Sequence, residues 1–495
     1  MHRSFHTLTF DNRYAQLTDD FYTRVTPSPL PDPYLISYSP TTADLLELHP
    51  DAFDRPDTLQ ILAGNQTLPG MQPLAMLYAG HQFGHYVPQL GDGRALLLGE
   101  TRTADQHWAW HLKGAGETPY SRHADGRAVL RSSIREYLAS EAMAGLGIAT
   151  TRALSLVGSP QPVYREQPET AATVLRLAPG FVRFGSFEIF YYRQQPQHLK
   201  TLADYVIRHH YPELAIEPQP YLGLLREVIQ RTADLIAAWQ LVGFAHGVLN
   251  TDNMSILGLT LDYGPYGFLD QYNPDFICNH TDQTGRYAFN AQPDIGLWNL
   301  YCLAQSLLPL LDTTPDAAAE QAKSVLQTYT PRLQQRYATG MQHKLGLTTH
   351  HADDPALIAD LLTLLQTQQI DYTRFFRQLS HLTQAQMQDT DTPVHRLCRE
   401  PAACTTWLTR YQHRLQAEHN DDIDRLSRMQ QHNPKYILRN YLAQQAISQA
   451  EQNDFSLVNR LLQVLTNPYA EHPAEDGLAD LPPAWASEIV VSCSS

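Results

Sequence analysis

An α+β fold with a helical C-terminal extension is predicted by three features of this 495-residue chain. Short apolar runs broken by Gly, Asp and Pro fill the stretch from about 87 to 185, as strands and close strand pairs do. Helical spacing of apolar residues takes over beyond about 195, and from Ile295 onward nearly every segment repeats Leu, Ile or Tyr at that spacing. At this length two or three packed units are expected, with divisions at 1–190, 191–310 and 311–495.

Residues 1 to about 70 carry alternating prolines (Pro27, Pro29, Pro31, Pro33) beside Phe21, Tyr22, Tyr34 and Tyr38, which predicts an extended but packed wrap. The runs 87–90 and 95–100, separated by Gly91-Asp92-Gly93-Arg94, read as a hairpin or close strand pair. In the next strand Trp108, Trp110 and Leu112 alternate with Ala109, His111 and Lys113, so Lys113 faces away from the tryptophans. A helix is predicted from about Arg127 to Ala144, with Ile134, Leu138 and Ala142 as its apolar stripe and Gly145 and Gly147 as stops. Glu136 falls on another face, among small residues. Val174–Leu177 and Phe181–Gly185 read as strands carrying Arg176 and Arg183. Further helices are expected over 199–209, 224–242, 300–311, 317–328, 355–368 and 436–452.

Composition narrows the function. With 36 basic and 51 acidic residues the formal charge is −15, which disfavours binding a polyphosphate backbone and leaves room for a small phosphorylated ligand in a local basic pocket. No signal peptide, transit peptide or apolar run of membrane-spanning length is evident, so a cytoplasmic monomer without nucleic-acid or membrane partners is expected. Five scattered cysteines argue against a disulfide scaffold and a zinc ribbon.

The chemistry concentrates at 246–264. His246–Asn253 (HGVLNTDN), an apolar hairpin, and Asp262-Tyr263-Gly264 supply two acceptor-rich clusters suited to a hard cation and phosphates. With strand Lys113, helical Glu136 and a glycine-bearing hairpin, they match the order of parts in a protein-kinase-like phosphate site, hence a two-lobed kinase-like fold. Lys113 would neutralise phosphate charge, Glu136 would hold Lys113 by an ion pair, and Asn253 and Asp262 would ligate the metal. One position departs from that pattern: five residues before Asn253, where a kinase keeps its catalytic aspartate, stands Val248. Valine cannot accept a proton, so Asp252 is the available base unless the chain is an inactive kinase.

Phe10–Tyr14, Tyr78–His85, Gln89–Arg94, Lys113–Arg122, His246–Asn253, Asn433–Gln445 and Ser492–Ser495 together resemble the selenoprotein O family of protein adenylyltransferases over essentially the whole chain. The resemblance implies a pseudokinase fold that binds ATP in a flipped orientation, with Mg2+ or Mn2+, and transfers AMP to Ser, Thr or Tyr hydroxyls of protein substrates. It further implies nucleotide contacts at Gly91, Gly93, Arg94, Lys113, Asp125, Gly126, Arg176, Arg183 and Asp262, a catalytic Asp252, and metal ligands Asn253 and Asp262. The rival functions are a kinase transferring the γ phosphate and a non-catalytic nucleotide-binding scaffold.

Plainer readings stand beside these. Asp125-Gly126 could cap the following helix, and Gly91 and Gly93 could be turn glycines. Arg127, Arg131 and Arg135 read as a solvated helix face. His81 and His85 have the spacing of two zinc ligands on a helix, but no third ligand is evident and Gly84 weakens the helix. Cys493 stands where some family members carry selenocysteine, and Cys278 lies where kinases keep an activation loop; a regulatory Cys278–Cys493 disulfide is expected, with two unpaired thiols as the alternative.

Overall fold

A computed structural model describes residues 3–104 and 106–492. The N-terminal wrap contributes β1 (Tyr22–Arg24) and β2 (Tyr34–Tyr38), then two short helices, α1 (Pro40–Leu45) and α2 (Pro56–Leu62). As expected it is packed rather than loose: Phe21 is buried and Tyr38 stacks on Phe53 with ring centroids 3.9 Å apart. Next come β3 (Leu74–Gln82), β4 (His85–Gly91), β5 (Ala95–Arg102), β6 (His107–Lys113), β7 (Ala128–Val129), α3 (Leu130–Gly145), β8 (Arg152–Tyr164) and β9 (Pro168–Ala178). They form a nine-stranded antiparallel sheet in the order β1-β3-β5-β6-β9-β8-β2, with β4 on β3 and β7 on β9.

The alternation read in β6 is real and divides the sheet into two faces. Trp110 and Leu112 enter the core shared with the N-terminal wrap, whereas Ala109 belongs to the opposite core beneath α3. The expected pairing across Gly91–Arg94 does not occur: β4 folds back on β3 through Tyr78↔Leu90 and Gln82↔His85, and β5 pairs with β6. The turn between β3 and β4 uses Phe83 and Gly84, both at positive φ (51° and 83°), the conformation a tight hairpin turn needs. This places His81 and His85 on two strands instead of one helix.

Arg183 does not lie in a strand. It precedes α4 (Phe184–Tyr192) as the N-cap residue and touches Ser255 through an isolated bridge. Helices α5 (Pro196–His210) and α6 (Pro220–Val242) follow, the latter closed by Gly243 in the left-handed conformation at φ 72°. Two-residue strands β10 (Phe244–Ala245) and β11 (Gly267–Phe268) pair and bracket the loop 246–264. Then come α7 (Gln292–Leu311), α8 (Pro315–Leu326), α9 (Tyr329–Lys344), α10 (Asp354–Thr367), α11 (Tyr372–His381), α12 (Pro401–Ala417), α13 (Asp422–His432), α14 (Asn440–Ala450) and α15 (Ser456–Leu465). Cys398 and Cys404 are joined at the start of α12, a pairing absent from the sequence reading. No helix among the described residues is long and apolar enough to cross a membrane.

The helical half does not form one core. Residues of α10–α12 pack around Phe375, Phe376 and Trp407, while α14 and α15 return to the core beneath the sheet and cover α3. Contact there is backbone-close: a Cβ on Gly145 would lie 2.1 Å from the carbonyl oxygen of Leu465. Gly145→Ala is therefore expected to destabilise the protein by about 1–3 kcal/mol through overpacking, measured as a lowered urea midpoint with an unchanged slope.

Candidate functional site

The sheet face beneath α3 is polar where β6 and β9 meet. His111 and Lys113 of β6 and Arg176 of β9 project there because they share the strand parity that keeps the tryptophans on the other side. Lys113 forms an ion pair with Glu136 of α3. Arg176 Nη1 donates to Glu136 Oε1 at 2.7 Å and to Asp262 Oδ1 at 2.6 Å. Arg183 donates to the other oxygen of Asp262 and to the Asp252 carbonyl, the latter at 2.7 Å. One continuous network thus joins the sheet, α3 and the loop after β10.

Two members of this network were not singled out by sequence. Arg176 Nη2 lies 2.7 Å from His111 Nδ1, and His111 Nε2 lies 3.1 Å from Asp92 Oδ2. A guanidinium only donates, so Nδ1 must accept and Nε2–H must donate to the carboxylate, which fixes a neutral imidazole. Burial lowers the His111 pKa, consistent with that state. The β6 alternation did put His111 on the same face as Lys113; Asp92 read only as a turn residue.

Burial opposes every charge here, and the partners decide the outcome. It works against ionised Asp262, yet Arg183, Arg176 and Lys113 outweigh it and hold this carboxyl well below its ordinary range. Glu136 is likewise held low against burial by Lys113 and Arg176. Burial lowers Lys113 despite the attraction of Glu136. Asp252 differs, because burial dominates over the hydrogen bond from Gln82 and the more distant Arg183, so its carboxyl is pushed up to about 6. Its Oδ2 accepts from Gln82 Nε2 at 3.1 Å, and its buried Oδ1 has no hydrogen-bond partner among the described residues.

The loop carrying Asp252 is held from both sides. Thr251 Oγ1 accepts the backbone N–H of His81 at 2.7 Å, and Asn250 Oδ1 accepts that of Phe83 at 3.2 Å, so the β3–β4 turn grips it. His246 stands within hydrogen-bond range of the Leu261 carbonyl, and Asn253 Nδ2 donates to the Val248 carbonyl at 2.9 Å. Gly80 makes the approach possible, since a Cβ there would sit 2.6 Å from Asp252 Oδ1. Asp262 itself has φ 56°, a left-handed conformation uncommon outside glycine and asparagine or aspartate.

These groups line a cleft of ≈ 730 Å³. Gly91, Gly93, Arg94, Lys113, Asp125, Gly126, Arg176, Arg183, Asp252, Asn253 and Asp262 all reach it, as does Val248. Glu136 lies behind Lys113 and Arg176 as their shared counterion. Seven Lys and Arg side chains line the cleft against four Asp, so a protein with net charge −15 is locally basic here.

The plainer readings resolve individually. The α3 N-cap is Val129, so Asp125-Gly126 does not cap that helix; Asp125 instead receives Arg165 through both oxygens at 2.8 and 2.9 Å. Gly91 and Gly93 are sites of close approach, where added Cβ atoms would lie 2.4 Å from the Tyr120 ring and 2.9 Å from its carbonyl. Arg127, Arg131 and Arg135 do not make a solvated face: Arg127 donates to the Ser28 and Pro29 carbonyls, Arg131 pairs with Glu169, and Arg135 donates to the Tyr266 carbonyl. Cys278 is buried beside the loop, 3.5 Å from the Ala245 carbonyl; Cys493 lies outside the described residues.

The family model described as protein adenylyltransferase SelO matches residues 4–466. The chain belongs to the SelO family. Among the family's curated members, the protein nucleotidyltransferase YdiU of Myxococcus xanthus is 54% identical over 489 residues, covering 99% of both chains. That of Thioalkalivibrio sulfidiphilus is 55% identical over 490 residues, again covering 99% of each. That of Photobacterium profundum is 49% identical over 516 aligned positions, also covering 99% of each.

Glu136→Gln would leave Lys113 and Arg176 short of their shared carboxylate. A loss of about 3–5 kcal/mol is expected from urea denaturation, the range for breaking a buried charge pair.

Proposed function

We propose that this chain is a metal-dependent protein adenylyltransferase that transfers AMP from ATP to Ser, Thr or Tyr hydroxyls of other proteins. The observation that carries this reading is the basic cleft with Val248 at the kinase base position and a buried Asp252 four residues on. Family membership supports it. A γ-phosphoryl kinase would want a carboxylate where Val248 stands, and a passive scaffold would have no use for Asp252 and Asp262 together.

In this reading the fold is a two-lobed kinase-like core, with 1–190 as the nucleotide-binding lobe, 191–310 carrying the catalytic and metal loops, and 311–495 as a helical extension. Lys113, Arg94, Arg176 and Arg183 hold the triphosphate, and the forked guanidiniums suit bidentate contact with phosphate oxygens. Gly91, Gly93 and Gly126 let backbone approach the nucleotide, and Asp125 keeps Arg165 at the cleft wall. The donor set fits a hard divalent cation: the Asn253 amide nitrogen is engaged, leaving its Oδ1, and the Asp262 carboxylate has lone pairs beyond those its arginines use. Mg2+ or Mn2+ held by Asn253 and Asp262 would neutralise charge around the α phosphate.

Asp252 takes the proton of the incoming hydroxyl. The hydroxyl oxygen bonds to the α phosphorus as the bond from that phosphorus to the α–β bridging oxygen breaks, and pyrophosphate leaves with the electron pair. Cys278 and Cys493 form the proposed redox pair. The chain at Val491 supports it, because its carbonyl accepts the backbone N–H of His280 at 2.8 Å, bringing the tail beside the Cys278 segment.

ATP labelled on the α or the γ phosphate tests the reading: label from the α position is expected on protein, and γ label alone would show a kinase instead. Asp262→Ala is expected to abolish transfer, by about 100-fold or more. A carboxyl pushed up to about 6 is protonated below that pH and cannot accept a proton, so kcat/KM should rise with pH through about 6 and then level. A pH–rate profile flat from 5 to 8 would remove Asp252 from the role of base.

A further inference from the structure

The fold separates the two histidines whose spacing hinted at a metal, yet it surrounds one of them with other ligands. His81 comes from β3, Glu188 from α4 and Cys302 from α7. One ligand atom of each, a ring nitrogen, a carboxylate oxygen and the sulfur, all lie within 4.8 Å of one another. His81 Nδ1 is 2.8 Å from Glu188 Oε1. The Glu188 side chain has no exposure, that of His81 is 11% exposed, and Cys302 is buried.

We propose that His81, Glu188 and Cys302 form a binding site for a borderline-soft divalent cation, zinc foremost, distinct from the hard-cation position in the nucleotide cleft. One nitrogen, one oxygen and one sulfur ligand form a three-residue set that leaves a fourth tetrahedral position for water. The thiolate selects against magnesium, which seeks oxygen ligands alone, whereas Asn253 and Asp262 offer only oxygens.

Three further observations fit. The second oxygen of Glu188 accepts the Thr251 hydroxyl at 2.7 Å, the outer hydrogen bond that orients a ligating carboxylate. The rings of Tyr86, Tyr192 and Trp298 stand 5.2, 5.9 and 5.3 Å from that of His81 and flank it on three sides. The charges also close, because a Glu188 carboxylate and a Cys302 thiolate neutralise a dication in a place where neither anion is solvated. The Cys302 thiol would bind as thiolate, its proton passing to solvent as the sulfur–metal bond forms.

Such a site would act as a clamp. Thr251, which links Glu188 to the His81 backbone, is the neighbour of Asp252, so an ion would tie the β3–β4 turn, α4 and α7 to the catalytic loop.

Cobalt substitution tests this independently of any transferase activity. The full chain, reduced and kept in excess magnesium, is titrated with Co2+ and followed by absorption. One equivalent is expected to bind with a near-ultraviolet thiolate-to-cobalt band and the visible bands of a four-coordinate ion, bleached by one equivalent of Zn2+. Cys302→Ser should remove the thiolate band, and Glu188→Gln should weaken binding by more than ~10-fold, the lower end of what an outer-shell partner costs. No thiolate band in the wild-type chain, or a band that survives Cys302→Ser, overturns the site and leaves a His81–Glu188 hydrogen bond beside an ordinary buried thiol.

Discussion

Asp262 held between Arg176 and Arg183 is the constraint on which the rest of the site depends. Three charged side chains meet where burial penalises each one, and they remain ionised only because the geometry supplies every charge with an opposite neighbour. Arg176 is shared with Glu136, which is shared with Lys113, so the sheet, α3 and the loop after β10 cannot move independently. A surface pair would contribute little, but here each missing partner strands a charge out of water. The hydrogen bond from the neutral His111 ring to Asp92 carries the network on to the turn holding Gly91 and Gly93.

Asp252 sits at the edge of this network under a different balance. Arg183 binds its backbone carbonyl while the carboxylate receives Gln82, so burial wins and the proton affinity rises instead of falling. Two aspartates ten residues apart in one loop are thereby driven in opposite directions, the separation expected of a proposed base and a proposed metal ligand. The grip of the β3–β4 turn on Asn250 and Thr251 keeps that difference in place, and the proposed His81–Glu188–Cys302 site would tighten it.

Helices α14 and α15 show how distant sequence serves the same centre. They pack over α3, with Gly145 allowing the Leu465 carbonyl to approach, and α3 carries Glu136. Arg135, one residue earlier, bonds to the Tyr266 carbonyl and to Asn440, the first residue of α14. What read as an exposed row of arginines is a set of buried and half-buried ties to loops, a strand and a helix elsewhere in the chain.

The sequence alone determined the elements whose signals are local. Period-two alternation placed Lys113 on the cleft face, helical spacing set α3, α6 and α7 with errors only at their ends, and motif order assembled the residues that line one cleft. It could not determine which strands pair across Gly91–Arg94, that His81 and His85 sit on a hairpin, or that Arg183 opens a helix, because each depends on which distant backbone satisfies a hydrogen bond. Nor could it find Asp92 and His111 as a pair, the partners of Arg127, Arg131 and Arg135, or the meeting of His81 with Glu188 and Cys302. Those are decided by tertiary structure, because the desolvation that makes a partner obligatory, or pushes Asp252 up while holding Asp262 down, exists only after the chain has folded around them.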